Sequence, residues 1–100
     1  MNTKKVRNNK LVLSLYIAGK TFKSITAYKN LKLICEEVLK GMYTLEVIDI
    51  LKNPKLARDN QILAIPTLIR KLPLPKRNII GDLSNRDLVL AELNINGNQR

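Results

Sequence analysis

The hydrophobic period changes twice within the first half of this chain, and that change constrains the fold more than any other feature. Leu11-Val-Leu-Ser-Leu-Tyr-Ile-Ala18 puts Leu11, Leu13, Leu15 and Ile17 on one face and Val12, Ser14, Tyr16 and Ala18 on the other. A segment apolar on both faces and closed by Gly19 reads as a central strand. From Ser24 to Lys40 the spacing lengthens: Ala27, Leu31, Ile34 and Val38 recur at steps of three and four, with Tyr28, Cys35 and Leu39 widening the stripe. That spacing predicts an amphipathic helix, with Ser24 as its N-cap and Gly41 as its C′ residue. Tyr43-Thr-Leu-Glu-Val-Ile-Asp-Ile50 alternates again and is β-branched, so it returns to strand. Strand, helix, strand is a βαβ unit, whose crossover makes the two strands parallel.

The second half is more broken. Asn53-Pro54 is a helix start, since Asn caps and Pro at the first helical position loses no hydrogen bond; Leu56, Ala57 and Gln61 continue it briefly. Ile62-Leu-Ala-Ile-Pro66-Thr-Leu-Ile69 carries a proline inside an apolar run. Pro66 lacks the N–H that a central strand's ladder needs, so it belongs at the start of a third strand, and a cis Ile65-Pro66 bond is one way to make that turn. Leu72-Pro73-Leu-Pro75 is a turn, Asn78-Ile-Ile80 a short strand, and Ser84 caps a last helix with Asp87 near its N-terminus and Leu83, Leu88, Leu90 and Leu93 supplying apolar contacts. The order βαβ, short helix, ββα describes an α/β chain with a four-stranded mixed sheet and helices on both faces, the thioredoxin architecture.

Chemistry is narrowed mostly by what the chain lacks. A single Cys35 makes neither an internal disulfide nor a CxxC pair, and with no His the usual zinc ligands are absent. Where thioredoxins carry CxxC, this chain has Gly19-Lys20-Thr21-Phe22-Lys23-Ser24. Gly19-Lys20-Thr21 resembles the end of a phosphate-binding loop, but the required earlier Gly falls at Ser14 inside the strand, so the spacing refuses a P-loop, although an anion at this helix N-terminus is chemically reasonable. Asp59, Asp82 and Asp87 have no His or metal partner and read as capping and surface groups. The expectation is a chain without catalytic residues, cofactor or metal.

Eighteen Lys/Arg against eight Asp/Glu give a net charge of +10. Residues 1–35 hold eight basic residues and no acid, so the excess sits in the N-terminal third. Such a charge attracts acidic partners, nucleic acid among them. With four aromatics and no stacking platform, a solvated face meeting an acidic protein is the better reading than specific nucleic-acid recognition. Tyr16 and Leu13 serve either the monomer core or an oligomer interface. No apolar run approaches the roughly 20 residues of a membrane helix, and no cleavable secretory pattern follows the basic N-terminus, so the expected compartment is the cytoplasm. The expectation is one domain over 1–100, with a basic tail at 1–10 and a flexible tail at 94–100.

Leu15-Tyr16-Ile17-Ala18-Gly19, Val47-Ile48-Asp49-Ile50-Leu51-Lys52-Asn53-Pro54, Ile62-Leu63-Ala64-Ile65-Pro66-Thr67-Leu68, Leu72-Pro73 and Ile79-Ile80-Gly81-Asp82-Leu83-Ser84-Asn85-Arg86 together resemble the KaiB clock family. The resemblance runs from about Leu13 to Leu93. It implies a non-enzymatic regulator of a circadian clock or a clock-derived stress-adaptation system. Such a protein binds a KaiC-type hexameric ATPase and modulates its phosphorylation state or output. A sensor kinase or a KaiA-like protein is a further implied partner, and the free form is a homo-oligomer, dimer or tetramer. The resemblance also implies two folds: the N-terminal βαβ half is constant, while the C-terminal half takes either the thioredoxin-like order or a rearranged ground-state topology. Ile65, Pro66, Thr67, Ala91 and Glu92 are then the fold-switch candidates, and Lys52, Asp59, Arg70 and Arg77 are the partner-binding candidates, on exposed loop and helix-end positions.

Residues 62–80 hold three prolines and no sustained period, as a segment with two alternative packings requires. Leu88 to Leu93, by contrast, is mostly good helix formers, Ala91 and Glu92 included, so the chain is expected to lean toward the thioredoxin-like state. Thr21-Phe22 stands where the family has Thr-Pro, and Ser14, Thr26, Glu46 and Asn78 replace basic residues frequent among cyanobacterial members. A stand-alone module similar to the N-terminal domain of the kinase SasA, and a small basic nucleic-acid-associated protein, are the alternative readings.

Overall fold

The structure, a computed structural model, describes residues 10–94; the two tails expected at the ends lie almost wholly outside the described residues. Strand β1 (Leu11–Ile17) is followed by helix α1 (Phe22–Ile34), β2 (Tyr43–Asp49), α2 (Pro54–Asp59), β3 (Thr67–Leu72), β4 (Arg77–Ile80) and α3 (Arg86–Glu92). The sheet order is β2-β1-β3-β4, with β1 parallel to β2 and β3 antiparallel to both β1 and β4. This is the mixed, thioredoxin-like sheet that the order of elements implies.

Strand alternation divides the core in two. On one face Leu11, Leu13, Leu15 and Leu68 meet Ala27, Leu31, Ile34 and Cys35 of the first helix, together with Val89 and Leu93 at the C-terminal end. Asn30 Nδ2 donates to Asp82 O at 2.9 Å, and Arg86 pairs with Glu37 at 2.7 Å, which ties the start of α3 and the segment before it to the first helix and its π-helical end. The other face is a smaller cluster of Tyr16, Ile48 and Ile69, covered by Ile50, Ile62 and Ile65 from the segments flanking α2.

Helix ends differ from the sequence expectation. Helix α1 starts two residues earlier than Ser24, with Thr21 as N-cap accepting from the Ser24 N–H. Ser24 is buried instead, its Oγ accepting from the Ala18 N–H at 3.2 Å and from the Thr21 hydroxyl at 2.8 Å. The last turn, Cys35–Leu39, is π-helical and closes through Lys40 N–H to Cys35 O at 2.9 Å. Its left-handed residue is Lys40, followed by Gly41, also at positive φ. At α3 the cap is Asn85, which accepts from the Leu88 N–H at 3.1 Å, while the Ser84 N–H donates to Asp82. At α1 burial of Ser24 leaves the cap to Thr21, and at α3 the Ser84 N–H is engaged by Asp82 while Asn85 takes the cap.

Candidate partner-binding surface

The C-terminal ends of β1 and β2 and the start of β3 lie at one edge of the sheet, because Ile17 pairs with Asp49 and Tyr16 with Thr67. Three connections converge there: the turn into α1, the loop after β2 and the segment before β3. Asp49 ties two of them, its Oδ1 accepting from the Gly19 N–H at 2.9 Å and from the Leu51 N–H at 3.0 Å. Those bonds, the Gly19 one foremost, hold its carboxyl below the ordinary carboxylate range. Asp49 thus occupies a backbone donor that a phosphate at the Gly19-Lys20-Thr21 turn needs. The third segment turns through a cis Ile65-Pro66 bond, with Thr67 Oγ1 donating to Ala64 O at 2.6 Å and Pro66 O accepting from Gly81 N–H at 3.0 Å.

This edge is apolar and open. Phe22 is 82% exposed, Leu51 70% and Leu63 93%, one from each converging connection, with Lys20, Lys23 and Lys52 exposed beside them in sequence. All three are bulky apolar side chains held in solvent at this end of the sheet. Sequence reasoning passed over all three. The signal was present, since each is a bulky apolar residue standing outside the periodic stripe of its neighbouring element.

The four partner-binding candidates do not form one patch. Lys52 is exposed in the loop after β2, and Asp59 ends α2, where it pairs with Lys55 at 3.3 Å. Arg77 opens β4, half exposed, with Glu92 at 3.9 Å. Arg70 corrects the expectation: it stands within β3 and is 3% exposed. Its Nη1 donates to Leu93 O at 3.1 Å and its Nη2 to Pro75 O at 2.7 Å. The aliphatic stem completes the core beside the end of α3 and the head is drawn to two carbonyls, an outcome that position in a strand does not reveal. The register sets Arg70 opposite Arg77, on the α3 side of the sheet.

Of the fold-switch candidates, Ile65 and Pro66 precede β3 and Thr67 begins it, whereas Ala91 and Glu92 form the last turn of α3. Cys35 is fully buried, and burial pushes its thiol up to about 11, the state of an inert core cysteine. Among the described residues no three His, Cys, Asp or Glu side chains cluster to hold a metal ion, and no helix is long and apolar enough to cross a membrane.

Solved structures with this arrangement include a chloroplastic thioredoxin z, at TM-score 0.68 and 15% identity over 94% of this chain and 91% of that one. The N-terminal domain of Synechococcus elongatus SasA is similar at TM-score 0.69 and 20% identity, covering 83% of this chain and 79% of that one. These likenesses concern the fold. Sequence relationship is closer elsewhere. A circadian clock oscillator protein KaiB of Microcystis aeruginosa is 56% identical over 84 residues, 84% of this chain and 81% of that protein. The protein of the same description from Synechococcus elongatus is 55% identical over 84 residues and 82% of its length. Residues 14–95 match the KaiB domain family, and the chain belongs to that family.

Proposed function

We propose that this chain is a non-catalytic regulator that binds a KaiC-type hexameric ATPase reversibly and modulates its phosphorylation state or output, in a clock or a clock-derived stress-adaptation system. The observation that carries this reading is the 56% identity to a circadian clock oscillator protein KaiB across most of both chains. The open edge at Phe22, Leu51 and Leu63 supports it with apolar surface, and Lys52 and Asp59 supply charges to orient a partner, whereas Arg77 lies opposite Arg70 at the other end of the β3–β4 pair. Arg70 acts from beneath, by fixing the β3–β4 turn against the end of α3. A sensor kinase or KaiA-like protein competing for the same surface is a further partner of this reading, and the compartment is the cytoplasm.

The C-terminal half, from Ile65, Pro66 and Thr67 to Ala91 and Glu92, exchanges in this proposal between the thioredoxin-like arrangement and a second packing that assembles as a homo-oligomer. Ala91 and Glu92 weight the balance toward the first as helix formers within α3. When the competent form is a fraction of the total, apparent affinity falls by that fraction and association is slow. Nucleotide-dependent co-purification with a KaiC-type ATPase tests the proposal.

The likeness to the SasA N-terminal domain favours a second reading, a module of fixed fold that binds a similar ring. A monomeric mass at all concentrations, with an association rate that rises in proportion to partner concentration, selects this reading; a slow exchange with a larger species, which caps that rate, selects the first.

A further inference from the structure

We propose that the cavity between the β3–β4 turn and the end of α3 binds a phosphate-class oxyanion, clamped by Arg70 and Arg77. The cavity has a volume of about 200 Å³, and its wall includes both guanidinium side chains, Pro75, Glu92 and Asn94. That is room for several water molecules, each taking about 30 Å³ of liquid.

The electrostatics of this site are unbalanced without a ligand. Register places Arg70 and Arg77 directly opposite one another on an antiparallel pair, a position where like charges repel. Arg70 is 3% exposed, and among the described residues no carboxylate lies within ion-pair distance of it. Two of its five N–H groups reach carbonyl oxygens, and the buried Nε–H has no partner. A buried charge ordinarily carries a counter-charge and a full set of hydrogen bonds. Glu92 supplies neither to Arg70; it reaches only Arg77, at 3.9 Å, with both side chains substantially exposed, where such a pair contributes little.

The shape of the donors selects the class of anion. One guanidinium fork is matched by a planar carboxylate. Two guanidinium groups lining one cavity bring two positive charges to it, which suits a dianion. Glu92 then competes with the ligand for Arg77, so the site is tuned by a residue of α3.

The test is a titration of the full chain with inorganic phosphate and with pyrophosphate, at ionic strength held constant with sodium chloride, followed by 1H–15N NMR of backbone and arginine Nε–H groups. Saturable shifts at Arg70 Nε–H and Arg77 are expected. Arg77→Gln, at a half-exposed site that leaves the fold's spectrum intact, should weaken binding about tenfold or more, the effect of losing hydrogen bonds to a charged group. Glu92→Gln should tighten it, and K20Q/K23Q, which removes charge at the opposite end of β3, should leave it unchanged. Non-saturating shifts, equal shifts with chloride, indifference to Arg77→Gln, or loss of binding in K20Q/K23Q would each overturn the proposal.

Discussion

Asp49 and Gly19, thirty residues apart, are joined by a 2.9 Å hydrogen bond from the Gly19 N–H to the Asp49 carboxylate, which locks the C-terminal ends of the two parallel strands together. The same carboxylate takes the Leu51 N–H, so one side chain fixes both loops of the open edge. Because these bonds favour the ionised form, the folded carboxyl titrates below its unfolded value. Its contribution is therefore complete above the unfolded carboxylate range and disappears as pH falls through the folded value. Asp49→Ala should lower the urea midpoint at pH 7, and its difference from the parent should shrink steadily on acidification. A difference constant from neutral to strongly acid pH would contradict this account of the bond.

Gly19 sits at φ +60, with Leu51 Cδ1 3.1 Å from where a Cβ would stand. Leu51 is the free end of an exposed side chain and can yield, so backbone strain is the larger effect. Gly19→Ala should cost about 1–2 kcal/mol, the left-handed penalty for an L-residue. Equilibrium urea denaturation measures it, and a loss below a few tenths of a kcal/mol would argue against that conformation.

Cys35 is enclosed by the main core, and burial holds its thiol at about 11. Modification by a thiol reagent at neutral pH should track global opening, becoming fast only in denaturant. A neutral thiol in the folded state and an earlier-titrating one in the unfolded state mean stability is intact below the unfolded thiol pKa and declines as pH rises toward 11. Rapid labelling of the native chain would contradict the burial.

Glu92 closes the last turn of α3 against Arg77. Replacing it with glycine removes that weak pair and a helix former from the last turn of α3. Glu92→Gly should populate the alternative arrangement of the C-terminal half, seen as loss of helical signal and growth of a larger species in size-exclusion chromatography with light scattering. An unchanged mass and spectrum would remove Glu92 from the balance.

The βαβ half was legible because its signal is periodic: Leu11 to Ile17 and Ala27 to Leu39 announce strand and helix through spacing that packing reinforces. Pro66 and Gly81 likewise mark boundaries with backbone chemistry. Caps were less legible, since Thr21 and Ser24, or Ser84 and Asn85, are equally competent by residue type. Arg70 was illegible: an arginine in a turn-flanked strand looks solvated, and its burial follows from where α3 ends. Phe22, Leu51 and Leu63 belong to no periodic stripe, so spacing alone does not single them out.

The central claim is tested most directly by pull-down of a KaiC-type ATPase from the same genome with the full chain, in ATP and in ADP, at low and moderate salt. The account predicts slow, nucleotide-dependent capture that survives moderate salt, as an apolar contact at Phe22, Leu51 and Leu63 requires. It also predicts weakening by charged substitutions at those positions. Absence of capture in either nucleotide at both salt concentrations would contradict it.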